Sequence, residues 1–132
     1  MTFQHWLEDN RAAIDEARAF LQRPVPKDVP SQIETLSKTA QYLALLNDKM
    51  ADAAGYFREA YAAATADIMS DIAYKNAQPT QIKVLAEGRA GLQKRIYDSL
   101  ERGSRTATHQ IEALRTIISA SKAEWTSTQS IR

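Results

Sequence analysis

Apolar residues recur along most of this chain at steps of three and four, the spacing that lines one face of an α-helix. Phe3, Trp6, Leu7, Ala13, Ile14, Ala17, Phe20 and Leu21 keep that spacing first, with Thr2 placed to cap the helix they predict. Pro24, Pro26 and Pro30 end it. Each withholds a backbone N–H and fixes φ, so residues 23–30 are expected to form a stiff, extended connector. Ser31 and Glu34 then supply a Ser-x-x-Glu capping box, which satisfies two orphaned backbone donors at a helix start.

Beyond it, Leu36, Ala40, Leu43, Asn47, Met50, Ala54, Phe57, Tyr61, Ala64 and Ile68 alternate steps of four and three, a heptad seam free of proline. Asn76-Ala77-Gln78-Pro79 reads as a turn, and Thr80 is placed to cap the next helix. The second run is Ile82, Leu85, Arg89, Leu92, Ile96, Leu100, Gly103, Ala107, Ile111, Leu114, Ile118, Ser121 and Trp125. Arg102-Gly103-Ser104 is its candidate break. The apolar face resumes in phase beyond Gly103, so the pattern predicts a continuous helix; a break there would give a four-helix bundle instead.

The expected fold is therefore all-α, one helical domain over residues 1–132. A shorter N-terminal helix accompanies a long antiparallel helical hairpin, about 31–76 and 80–126. Each arm would span roughly 65 Å at 1.5 Å per residue. A hairpin that long and thin cannot hide its whole apolar surface within one copy, and the first helix covers only part of one side. Asn47, Tyr56, Tyr74, Ile117 and Trp125 are the candidates for a face that meets further copies, making a homo-oligomer, or a partner helix. Asn47 has two readings: a buried amide that fixes register, or a solvent-facing one if the helix rotates slightly.

Composition agrees with helix. Gly and Pro number four each, low for a turn-rich β fold, and the only valines are Val25, Val29 and Val84. The absence of cysteine removes disulfides, thiolate zinc sites and a Cys nucleophile, and it fits a reducing, cytoplasmic setting. Glu8, Asp9 and Arg11 interrupt the region where an export signal would be apolar, and no segment has the apolar length of a membrane span. No membrane partner is expected.

A net charge of +1 gives no global field for binding nucleic acid, but the distribution is uneven. Residues 1–82 carry eight basic and eleven acidic side chains, residues 83–132 nine and five. Either the halves attract one another, or the basic half offers a binding face. Arg89, Lys94, Arg95, Arg102, Arg105 and His109 cluster there, with Tyr97 adjacent to stack on a base or to pack. Arginine with aromatic rings is what a single-stranded nucleic-acid track uses, charge for phosphates and ring faces for bases. Asp98 and Glu101 interleave and would neutralise part of the cluster through pairs one turn apart.

Other constellations are weak. His109 and Glu112 invert the Glu-x-x-His pair of di-iron bundles, and with only His5 besides, no metal site is expected. Gly88-Arg89-Ala90-Gly91 has the Gly-x-x-Gly form that clamps RNA in KH domains, but no strand accompanies it; the glycines are read as helical positions against which a neighbour packs closely. Thr106, Thr108, His109 and Glu112 nominally supply a nucleophile, base and orienter, all on one helical stretch with no pocket or oxyanion hole. No enzyme activity, catalytic residue or cofactor is expected.

The stretch from Arg105 to Arg115, continuing to Ile118-Ser119 and Lys122-Ala123-Glu124, together with Leu36-Ser37-Lys38-Thr39-Ala40-Gln41-Tyr42-Leu43-Ala44, resembles small helical proteins of bacteriophages and mobile elements. The layout resembles that of phage recombination mediators, short ring-forming proteins that bind single-stranded DNA. The resemblance implies partners among recombination or replication proteins and places Arg105, His109 and Arg115 on the functional face. With Arg95 and Arg102 they form the candidate nucleic-acid-binding set. The expected function is a non-enzymatic, oligomeric accessory protein; the alternative is a protein-only adaptor or chaperone-like module with no nucleic-acid role.

Overall fold

The structure is a computed structural model that describes the backbone of residues 1–131 and the side chains of residues 1–128. Among the described residues it is all α-helical, with no strand: α1 (Phe3–Leu21), α2 (Val29–Ser70), a single 3-10 turn (Ile72–Tyr74), α3 (Pro79–Arg89) and α4 (Gly91–Ile131). α2 forms one arm of an antiparallel hairpin, and α3 with α4 forms the other. α1 lies in the groove along the middle of that pair.

Local chemistry sets the boundaries. Thr2 caps α1, its side chain accepting from the His5 N–H at 3.2 Å. α2 begins one turn earlier than the Ser31–Glu34 box predicts. Asp28 is the N-cap, accepting from the Ser31 N–H at 2.9 Å, and Pro30 falls in the first turn, where the N–H it lacks has no helical partner. The extended connector is correspondingly shorter than residues 23–30. Asp71 ends α2 in an extended conformation and accepts from Ala73 N–H at 2.9 Å to start the 3-10 turn, so the arm stops short of residue 76. At the start of α3 the cap is Gln78, not Thr80: the Gln81 side chain accepts from the Gln78 N–H at 3.0 Å, and Pro79 fills the first helical position.

The second arm runs unbroken through Gly103 and is interrupted at Ala90 instead. Gly88 and Gly91 flank the interruption, and both lower helix propensity there. Nothing lies within 4 Å of where a Cβ would sit on either, so they do not mark a close-packed neighbour. The close approach is at Gly103, where a Cβ would stand 3.3 Å from Leu46 Cδ1. Hydrogen bonds from Ala90 N to Ala86 O (3.0 Å) and from Lys94 N to Ala90 O (3.1 Å) carry the ladder across, and Ala90 is fully buried.

The core divides in two. At the waist, α1 contributes Trp6, Leu7, Ile14, Ala17 and Leu21, which enclose Leu46 and Ala53 of α2 with Leu100 and Ala107 of α4. Burying each large aliphatic side chain contributes about 1.5–3 kcal/mol. The Trp6 indole donates to Asp52 Oδ2 at 3.1 Å, Tyr42 donates to Glu16 at 3.3 Å, and Phe20 packs on Tyr42 with ring centroids 4.9 Å apart. Partial burial and the Glu16 carboxylate raise the Tyr42 phenol above its ordinary range. At the tip only two helices meet, over a small core of Ala64, Ile68 and Ala86, with Tyr61, Tyr74, Ile82 and Leu85 half-buried around it.

Candidate functional site

Carboxylates one turn away engage part of the basic set of α4. Arg105 pairs with Glu101 at 2.9 Å, Lys94 with Asp98 at 3.0 Å, and His109 Nδ1 lies 3.8 Å from Glu112. The Asp98 carboxylate holds the Lys94 ammonium above its ordinary range. Arg95 and Arg102 stand seven residues apart on one line of α4, whereas Arg115 lies roughly 160° round the helix from Arg95. All five candidates are exposed; Arg95, Arg102, Arg105 and His109 fall within roughly 80° of one another round α4, and Arg115 stands apart from them.

What the fold brings together is different. α1 lies alongside α4, and an open depression of about 220 Å³ between them is lined by Arg18, Leu21 and Gln22 on one side and Ser99, Arg102, Gly103 and Thr106 on the other. A smaller hollow of about 60 Å³ continues it past Leu7, Arg11, Ile14, Asp15, Ile96 and Leu100, sharing Arg18 and Ser99. Gly103 also lines this groove, although a Cβ on it would point toward Leu46 of α2. Arg11, Arg18 and Arg102 therefore line one groove, and Arg95 continues the line of Arg102. None of the four pairs with a carboxylate among the described residues, and Asp15 is the acidic side chain at the groove. Arg11 and Arg18 were not among the sequence candidates. Their seven-residue interval matches that of Arg95 and Arg102, but only the docking of α1 on α4 aligns the two pairs.

The candidate interface residues separate in the same way. Tyr56 is used within the chain, with ring centroids 5.5 Å from Phe3 and 5.6 Å from Trp6. Asn47 is exposed, yet its Oδ1 accepts from the buried Ser104 hydroxyl at 2.5 Å and so ties α2 to α4. Tyr74 packs on the tip core. Ile117 and Trp125 are 38% and 67% exposed. Leu100, Ala107 and Leu114 are fully buried at seven-residue steps along α4, and Ile118 and Trp125 continue that stripe. Leu46 against Gly103 and Asn47 against Ser104 set an antiparallel register that places the start of α2 opposite residues near Ala120. Past that point the stripe has nothing from α2 to cover it. Further exposed apolar side chains gather at the tip and junction: Met69, Ile72, Val84 and Leu92.

Thr108 donates to the Ser104 carbonyl at 3.0 Å, which commits its hydroxyl to the helix backbone. Among the described residues no three His, Cys, Asp or Glu side chains group as a metal site, and no helix is long and apolar enough to cross a membrane. No protein-family model matches the chain, and no curated protein or solved structure is significantly similar to it.

Proposed function

We propose that this chain is a non-enzymatic helical accessory protein that self-associates and works by presenting helical surface to partners. The observation that carries the reading is the buried stripe of α4, which continues through Ile118 to Trp125 beyond the reach of α2 and leaves a large aromatic side chain 67% exposed. Apolar surface held on a rigid helix with no intramolecular cover favours association. Sedimentation velocity across a concentration series tests it: the expected result is a weight-average mass that rises with concentration, and a monomer throughout overturns the proposal.

A second reading, single-stranded nucleic acid as a ligand, is favoured by the groove of Arg11, Arg18 and Arg102. Guanidinium groups free of carboxylate partners along a shallow track suit phosphates, and an affinity that falls with salt would reflect a few such contacts. Charge reversal by Arg18→Glu with Arg102→Glu should weaken binding of a labelled single strand at low salt at least tenfold. Binding that persists unchanged, or no binding by the parent protein, removes nucleic acid and leaves the protein-only adaptor. The resemblance to phage recombination proteins supports recombination or replication as the setting in which either activity is used.

A further inference from the structure

α1 and α4 run in the same direction along their groove: Leu7 shares a hollow with Ile96 at one end, and the Leu21 carbonyl accepts from Gln110 at the other. Arg11 and Arg18 therefore make one row, and Arg95 and Arg102 a second row parallel to it, each about 10 Å long at 1.5 Å per residue. The uncharged donors of the groove are also uncommitted. Gln22, Ser99 and Thr106 line the larger depression, and no hydrogen bond among the described residues engages their side chains. Elsewhere on α4 the hydroxyls are used: Thr108 and Thr116 donate to the carbonyls of Ser104 and Glu112, each at 3.0 Å.

The charge here stays positive when every neighbouring acid is included. Asp15 lies between Arg11 and Arg18, and Glu8, one turn before Arg11, accepts from Gln4 at 3.1 Å. Glu16 faces Tyr42 of α2 instead. Lys94 with Asp98 and Arg105 with Glu101 cancel beside the groove. Four guanidiniums thus stand against two carboxylates. No aromatic ring lines either hollow. Tyr97, two residues from Arg95, packs against the waist core, and the exposed Trp125 lies about 35 Å along α4 from Arg102.

We infer that this groove takes a single strand by its sugar–phosphate backbone alone, with the bases outward and unread. This rests on the nucleic-acid reading proposed above and specifies what the site recognises. Guanidinium, hydroxyl and amide donors suit phosphate oxygens and carry no information about sequence. A track that also holds bases needs ring faces beside its charges. This groove has none. Binding is therefore indifferent to base identity, and to whether bases are present at all.

Fluorescence anisotropy on the full-length protein at low salt tests it, with a labelled oligothymidine and an abasic strand of the same length and backbone. The two should bind within about threefold of one another, whereas stacking of even one base would cost the abasic strand roughly fivefold or more. Asp15→Asn removes the carboxylate at the groove and should tighten both strands about two- to threefold, a gain that a misfolded variant would not produce. An abasic strand bound more weakly than threefold shows that bases contribute, and overturns the inference while leaving nucleic-acid binding standing. An affinity that Asp15→Asn leaves unchanged puts the strand elsewhere on the molecule and overturns it too. A parent protein that binds neither strand overturns the nucleic-acid reading as well.

Discussion

α2 passes through two regions of the molecule that differ by one helix. At the waist it faces α4 and α1 together, and large side chains close around Leu46, which is fully buried. At the tip the same helix faces α3 alone, and the buried set shrinks to Ala64, Ile68 and Ala86. Two helices touch along a line and cannot surround a side chain; a third converts the line into an enclosed volume. The tip uses alanine to bring its helices close, and that leaves its larger apolar groups at the rim: Met69 is 68% and Ile72 85% exposed. The contrast explains why the waist encloses its large side chains and the tip leaves them at the surface.

The largest effect that bears on this comparison comes from matched truncations. Leu46→Ala should lower global stability by about 2–5 kcal/mol, read from a urea midpoint. Ile68→Ala removes an equally buried side chain, and its loss should appear as faster amide exchange in the tip, with protection around Leu46 unchanged. Equal loss of protection in both regions would show that tip and waist open as one unit.

A smaller effect separates two glycines. Gly55 lies within α2 with nothing within 4 Å of where an added methyl would sit, so Gly55→Ala should raise stability by about 0.5–1 kcal/mol through helix propensity. Gly103→Ala brings the same propensity gain, but its methyl would press on Leu46 Cδ1 at 3.3 Å, and Leu46 is enclosed on all sides. The crowding offsets the gain, and thermal midpoints should place Gly103→Ala below Gly55→Ala. The reverse order would mean that the waist is loosely packed.

The smallest effect concerns the entry to α2. Hydrogen bonds from Ser31, side chain first and then backbone, hold the Asp28 carboxyl below its usual 3.8. A depressed folded-state value means that the cap's contribution is complete above the unfolded value and is lost as pH falls through the folded one. Asp28→Asn should remove this small acid-side loss while keeping a cap, as paired urea midpoints at neutral pH and below pH 3.8 would show.

The class of fold and the hairpin were legible because helical spacing is sustained over both arms. The buried face of α2 was legible only toward the tip, where Ala64 and Ile68 of the expected seam are buried. At the waist, buried positions fall at Gln32, Thr39, Leu46 and Ala53, seven apart, while the expected seam runs through Ala40, Asn47 and Ala54, one position along. Polar residues occupy the buried line and bond locally: Thr39 donates to the Thr35 carbonyl at 2.7 Å, and Gln32 donates to the Pro26 carbonyl at 3.0 Å while its Oε1 stays buried without a partner among the described residues. A hydropathy pattern cannot anticipate such bonds. The arginine groove was hidden for a related reason. Its residues come from helices some eighty positions apart in the chain, and their alignment depends on the docking of α1, which Leu7, Ile14 and Leu21 make possible but do not specify.

The two tryptophans sit in opposite environments, Trp6 at 4% exposure with its indole bonded to Asp52 and Trp125 at 67%. Their fluorescence is therefore separable. Denaturation of the waist should shift the Trp6 emission to the red, while a soluble quencher should act first on Trp125. Shielding of that second signal as the solution is concentrated gives an optical readout of what the far end of α4 touches, with no label added to the protein.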